Sequence, residues 1–210
     1  MDGLLLDTEP LAARAWSEAA ALAGAPFDSA LGLRMVGSNL TDCGAMLRAH
    51  YPAPYPADAV LGAWHAAYDA LCAREGVPVK RGAVEILEWL DTAQVKRAVA
   101  TSTRRARASA KLAEARLLHR FDALVGGDEV ARGKPAPDIY AEAARRLGVA
   151  AHECVALEDS EPGVRAALAA GMTVFMVPDL VAPSPELARL GPLVVDSLAE
   201  VQAHIANWPP

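Results

Sequence analysis

The chain has 210 residues, 53% of them hydrophobic, which is enough for one substantial core and a smaller accessory unit. Its formal net charge of -6 speaks against a general affinity for nucleic acid, and no basic cluster interleaved with aromatics overrides that average. Cys43, Cys72 and Cys154 fit no disulfide framework and read as small buried hydrophobes of a reducing compartment; with no signal segment and no apolar run of about 18 residues, the expected location is cytoplasmic, with no membrane partner.

The N-terminal segment Met1-Asp2-Gly3-Leu4-Leu5-Leu6-Asp7-Thr8-Glu9-Pro10 sets an acid beside a glycine and then a helix start. From Pro10 to about Val79 apolar residues recur at helical spacing, as in Leu11, Ala15, Trp16, Ala19 and Leu22. Pro and Gly interrupt them at Gly24-Ala25-Pro26, across 51–56 and at Gly76-Val77-Pro78. The spacing predicts a small bundle with helices over 10–24, 28–34, 39–50 and 57–75.

After Arg81-Gly82 the texture changes. A helix over 82–93 precedes strand-like runs at 95–101, 122–126, 153–157, 173–177 and 193–195, separated by helices over 104–116, 137–148 and 161–171. That alternation predicts right-handed βαβ units on a parallel sheet, whose ligands bind beyond the carboxyl ends of the strands.

Three polar groups fall at such ends. Thr101-Ser102-Thr103 closes one strand and opens a helix, offering either an anion pocket or an ordinary N-cap. Lys134, fixed between Gly133 and Pro135, is a compact cation suited to a phosphoryl oxygen or a carboxylate, or else a solvated loop lysine. Glu158-Asp159 ends the run Cys154-Val155-Ala156-Leu157 and offers adjacent carboxylates to Mg²⁺, or else a cap for the helix that begins with Ser160-Glu161-Pro162. His50, His65, His119, His152 and His204 have no metal-ligand spacing and no Ser or Cys partner, so a hydrolase triad is not supported.

Taken in order, Asp2-Gly3, Thr101-Ser102, Lys134 and Glu158-Asp159 resemble the four motifs of the haloacid dehalogenase-like superfamily, in the helical-cap branch similar to phosphoglycolate phosphatase and β-phosphoglucomutase. The resemblance implies an α/β fold: a Rossmann-like parallel sheet core with helices on both faces, residues 1–9 and 80–210, plus an inserted helical-bundle cap domain, residues 10–79. It implies a Mg²⁺ cofactor and hydrolysis of a small phosphorylated metabolite by a monomer or weak homodimer. Asp2 resembles the general acid/base, which also helps to bind Mg²⁺ through its carbonyl. Thr101 resembles the hydroxyl donor to the phosphoryl group, with Gly3 and Ser102 beside the phosphate. Lys134 resembles the neutralising lysine, and Asp159 the direct Mg²⁺ ligand assisted by Glu158. Arg34 and Asn39 are candidate substrate residues of the cap, with Arg14 and Trp16 also considered.

One position departs from the pattern. The family's nucleophile is an Asp two residues before the acid/base, where this chain has no residue, and the expectation is an apolar strand ending in that Asp just upstream of Met1. Without it the chain is expected to be inactive, with an open slot in its sheet. A phosphosugar mutase is the alternative, disfavoured because Ala12 and Asn39 stand where mutases carry a His and an Arg. A catalytically silent phospholigand-binding protein is the rival from another class.

Overall fold

The computed structural model describes residues 1–35, 40–179 and 182–207. Residues Thr8–Val77 form one unit, and Met1–Asp7 with Pro78–Pro210 form another, against the expected junctions at 9/10 and 79/80. Asn39 lies outside the described residues.

The helical periodicity of the first unit becomes α1 (Glu9–Leu22), α2 (Ser29–Met35), α3 (Leu40–His50) and α4 (Ala57–Glu75). Glu9 and Pro10 open α1, an acid and a proline being favourable in a first turn. One face of α1 buries Leu11, Ala15, Trp16, Ala19 and Ala20 against α4, where Val60, Ala67, Tyr68 and Leu71 are buried. Trp16 packs on Trp64 with centroids 5.3 Å apart, and the Trp64 indole N–H donates to the Ala12 carbonyl at 3.3 Å. On the outside Arg14 donates twice to Glu75, at 2.6 and 2.7 Å, and Arg74 donates to Glu18 at 2.8 Å. These pairs are exposed and contribute little. Arg14 is thereby engaged within the bundle, and Trp16 belongs to its core.

The second unit contains α5 (Ala83–Thr92), β1 (Ala98–Ala100), α6 (Arg105–Glu114), β2 (Ala123–Val125), α7 (Asp138–Leu147), β3 (Val155–Glu158), α8 (Glu161–Ala169), β4 (Thr173–Met176), α9 (Pro185–Ala188), β5 (Leu193–Val194) and α10 (Leu198–Ala206). All pairings between these strands are parallel, and an isolated antiparallel bridge joins Leu6 and Val79. The core gathers Val125, Ile139, Ala156, Val164, Val174, Met176 and Leu187 between strands and helices.

The strands do not form one sheet. β1 pairs with β2, in register Ala98 with Ala123, and β3 pairs with β4, which pairs with β5. Strands of a parallel sheet covered on both faces are buried throughout. Here Val155 on β3 keeps 38% of its surface exposed, and Ala98, Ala100 and Leu157 are half-buried. Between β1 and β3 runs an apolar cleft of about 440 Å³, lined by both strands and by Met1, Leu4 and Leu5. Cys154 borders the cleft and is only half-buried, unlike Cys43 and Cys72, which corrects the expectation that all three thiols lie in the core. Among the described residues no helix is long and apolar enough to cross a membrane.

Candidate functional site

The turn before α7 delivers Lys134 into the interior, its side chain 10% exposed. Its ammonium donates to the Glu158 carboxylate and to the Ala100 carbonyl at 3.3 Å, and lies 5.1 Å from the centre of the Tyr140 ring. The end of β1 and the end of β3 are thus held by one cation.

Glu158, 4% exposed, is saturated with donors. Oε1 accepts from Lys134 and from the Tyr140 hydroxyl, while Oε2 accepts from Ser160 Oγ at 3.0 Å and from the N–H groups of Asp159 and Ser160 at 3.2 and 3.3 Å. Ser160 caps α8, its hydroxyl accepting from the Gly163 N–H at 3.3 Å. A Cβ at Gly163 would stand 2.0 Å from Glu158 Cδ, so only glycine lets the carboxylate settle on the start of that helix. Burial pushes the Glu158 carboxyl up, but Lys134, the Met1 amine and Tyr140 more than offset it and hold it below its ordinary value. Burial, with Glu158 beside it, pushes the Tyr140 hydroxyl well up.

Asp159 is set differently. Burial first, and the neighbouring Glu158 charge, push its carboxyl up to about 6 against the pull of the Met1 amine. It lies on Gly3, where a Cβ would stand 2.1 Å from Asp159 Oδ2 and where φ is +76°, so Gly3 serves a close approach in a left-handed turn. The Gly3 N–H donates to the Leu6 carbonyl at 2.9 Å. That amide closes the turn.

Asp2 accepts from Lys111 at 2.7 Å on one oxygen and from the Thr103 hydroxyl at 3.0 Å on the other. Burial alone would raise this carboxyl; Lys111, the Met1 amine and Thr103 bring it below its usual value. Thr101, 5% exposed, accepts the Thr103 N–H on its hydroxyl oxygen at 3.2 Å, and its own N–H donates to Val125. Ser102 is exposed. Asp2, Thr101, Lys134, Glu158 and Asp159 thus meet at the carboxyl ends of β1 and β3. Arg34 lies exposed on α2 in the helical unit.

Lys111 and Tyr140 escaped the sequence reading because a lysine or tyrosine on a helix is ordinarily solvated or core. Lys80 and Asp179 did too. Lys80 donates to Asp179 and lies 3.5 Å from Asp7, while Asp179 Oδ2 is buried with no hydrogen-bond partner among the described residues. That oxygen stands 3.3 Å from the Cβ position of Gly3, on the same side as Asp159.

An oxygen-only donor set of Asp159 and a buried, unpartnered Asp179 oxygen fits a hard divalent cation. Among the described residues no three His, Cys, Asp or Glu side chains converge as a ligand cage. Mg²⁺ suits such a site, because it keeps several waters and takes substrate phosphate as a ligand.

The strands define a parallel α/β protein with acids and a buried lysine gathered at their carboxyl edge. The sequence profile of the haloacid dehalogenase-like hydrolases matches residues 1–171, and the chain belongs to that family. It is 34% identical over 182 residues to fructose-1-phosphate phosphatase YqaB of Escherichia coli, covering 82% of this chain and 90% of that protein. It is 28% identical to the bifunctional riboflavin kinase/FMN phosphatase of Arabidopsis thaliana, aligning along all of this chain but only 55% of that protein. A crystal structure of a HAD family hydrolase from Deinococcus radiodurans with bound phosphate and sodium superimposes with a TM-score of 0.82 at 32% identity, covering 98% of this chain and 92% of the other.

Proposed function

We propose that the chain is the main part of a Mg²⁺-dependent phosphatase acting on a small phosphorylated sugar through an aspartyl-phosphate. The observation that carries this reading is Lys134, a buried ammonium bridging the Ala100 carbonyl at the end of β1 and the Glu158 carboxylate at the end of β3. Phosphoryl transfer asks mainly for charge neutralisation and placement, which these groups supply. Lys134 neutralises the phosphoryl oxygens and the attacking carboxylate, and Thr101 donates its hydroxyl to the phosphoryl group. Asp159 would hold Mg²⁺, with the Asp2 carbonyl, and Glu158 acts by fixing Lys134. Bound Mg²⁺ supplies further charge neutralisation at the phosphoryl group.

Asp2 serves as acid/base, protonating the leaving oxygen and then accepting a proton from the attacking water. Its lowered pKa favours the second role, and the Lys111 contact must loosen for the first. In this reading the attacking carboxylate is an aspartate two positions before Asp2, outside the 210 residues. Sugar phosphate is the substrate class because the Escherichia coli relative is a fructose-1-phosphate phosphatase. Ala12 supplies no acid/base group for a mutase step.

The test is hydrolysis of fructose 1-phosphate by the 210-residue chain and by a version bearing an apolar strand that ends in an Asp directly before Met1. The expected result is turnover only in the extended version, abolished by chelation and restored by Mg²⁺. Silence in both overturns the phosphatase reading.

A further inference from the structure

We propose that Asp179 is a second carboxylate ligand of the divalent-cation site at Asp159, directly or through one water of the cation, and that Lys80 positions it. The proposal deepens the phosphatase reading and rests on it only for a cation being held at Asp159.

The topology brings the two acids together. β3 and β4 run parallel with Glu158 opposite Met176, and the Val177 N–H donates to the Glu158 carbonyl at 2.7 Å. The segment that leaves β4 therefore starts beside the one that leaves β3, at the same carboxyl edge, and Asp179 follows Val177 and Pro178 on it. Both side chains come over Gly3. From the place a Cβ would take there, Asp159 Oδ2 is 2.1 Å away and Asp179 Oδ2 is 3.3 Å away. The two oxygens are thus at most about 5.4 Å apart, a distance that one octahedral cation and its bound waters span.

The condition of each carboxylate selects Asp179. Mg²⁺ is ordinarily held by one or two carboxylates together with waters and substrate phosphate. Glu158, the acid next to Asp159 in the chain, already accepts from Lys134, Tyr140, Ser160 and two backbone amides. Its oxygens are committed. Asp179 is the reverse case: its side chain is 11% exposed, Oδ1 accepts from Lys80, and Oδ2 is buried with no hydrogen-bond partner among the described residues. A buried carboxylate oxygen without a donor is costly, and a cation, or a water held by one, satisfies it. Lys80 is fixed through its own backbone, whose N–H donates to the Leu5 carbonyl at 2.9 Å. By holding Oδ1 it leaves Oδ2 on the side of Gly3 and Asp159. Asp7 also lies 3.5 Å from the Lys80 ammonium, but its side chain is 40% exposed, so solvent meets its needs.

Isothermal titration of MgCl2 into the 210-residue chain, Asp179→Asn and Asp7→Asn tests the assignment. Both substitutions remove one negative charge near Lys80, so a general field effect would move them alike. The expected result is Mg²⁺ affinity lowered by about tenfold to a hundredfold in Asp179→Asn and nearly unchanged in Asp7→Asn. Thermal denaturation with and without Mg²⁺ supplies the second readout: the rise in Tm caused by the cation should shrink in Asp179→Asn and persist in Asp7→Asn, each measured against its own cation-free value. Lys80→Met combined with Asp179→Asn leaves neither partner unpaired and covers the case of a single variant that does not fold. Its affinity should match that of Asp179→Asn within about threefold.

Wild-type affinity in Asp179→Asn or in the double variant overturns the proposal, since Asp179 would then serve Lys80 alone. Equal weakening by Asp7→Asn, or no Mg²⁺ binding by the wild-type chain, overturns it as well. Turnover of fructose 1-phosphate by the extended chain with any of these results leaves the phosphatase reading standing. Weakened binding confined to the Asp179 variants, with no turnover by the extended chain, counts against that reading and leaves the cation site in place.

Discussion

Lys134→Met is expected to destabilise the second unit by about 3–5 kcal/mol at neutral pH, because it strips the partner from a carboxylate that is buried and already committed to fixed donors. The methionine fills the volume of the lysine stem, so the loss reports the unpaired charge of Glu158 more than a cavity. The pH dependence carries a sign. Glu158 is held below 4.5 when folded, so it contributes stability that is fully present above about 4.5 and is lost as pH falls through the lower folded value. In Lys134→Met burial is opposed by the Met1 amine, Tyr140, Ser160 and the neighbouring amides but no longer by the lysine, so the carboxyl shifts upward and takes a proton more readily. Wild type and variant should therefore converge on acidification. Urea denaturation at pH 7.5 and pH 4 measures both, and Lys134→Met with Glu158→Gln should recover most of the loss. A single-variant loss under about 1 kcal/mol would mean that the pair is solvated and does not organise the site.

Asp159→Asn is expected to do the opposite, stabilising the cation-free chain by about 1–3 kcal/mol while abolishing Mg²⁺ binding. The Asp159 carboxyl rises from 3.8 to about 6 on folding, which corresponds to about 3 kcal/mol of cost for keeping it ionised at neutral pH. For an acid with a raised folded value, stability is greatest when both states are protonated and falls as pH climbs from about 3.8 through about 6. The advantage of the asparagine should therefore be full above pH 7 and gone below about pH 4. Thermal denaturation across that range, with isothermal titration of Mg²⁺ at pH 7.5, separates the two effects. A variant that is less stable and still binds Mg²⁺ would remove Asp159 from the cation site. Binding sites commonly trade stability for function in this way.

Much of this arrangement was legible in the residues. The period change after Gly82 separates α1 to α4 from the strands and helices that follow, and each apolar run ending in polar residues became a strand whose end bears on the site. Ser160 and Pro162 announced the start of α8 through ordinary capping chemistry. The strand expected over 95–101 is shorter, Ala98–Ala100, because its ladder partner β2 begins only at Ala123.

What stayed hidden depends on contacts distant in the chain. Lys111 reaches Asp2 across 109 positions and Lys80 reaches Asp179 across 99, and neither spacing has a local signature. The sequence reading treated Glu158 and Asp159 as one pair of ligands. The structure separates them: five donors occupy Glu158, and Asp159 rests on Gly3. Nor does the sequence show that the missing side chain of Gly163 is what admits the Glu158 carboxylate.

The most direct measurement is an anomalous difference map from crystals of the chain grown with Mn²⁺ and inorganic phosphate. The predicted result is a Mn²⁺ peak about 2.2 Å from an Asp159 carboxylate oxygen, with phosphate against Lys134 and the Thr101 hydroxyl. A peak remote from Asp159, or phosphate bound away from Lys134, would contradict the account.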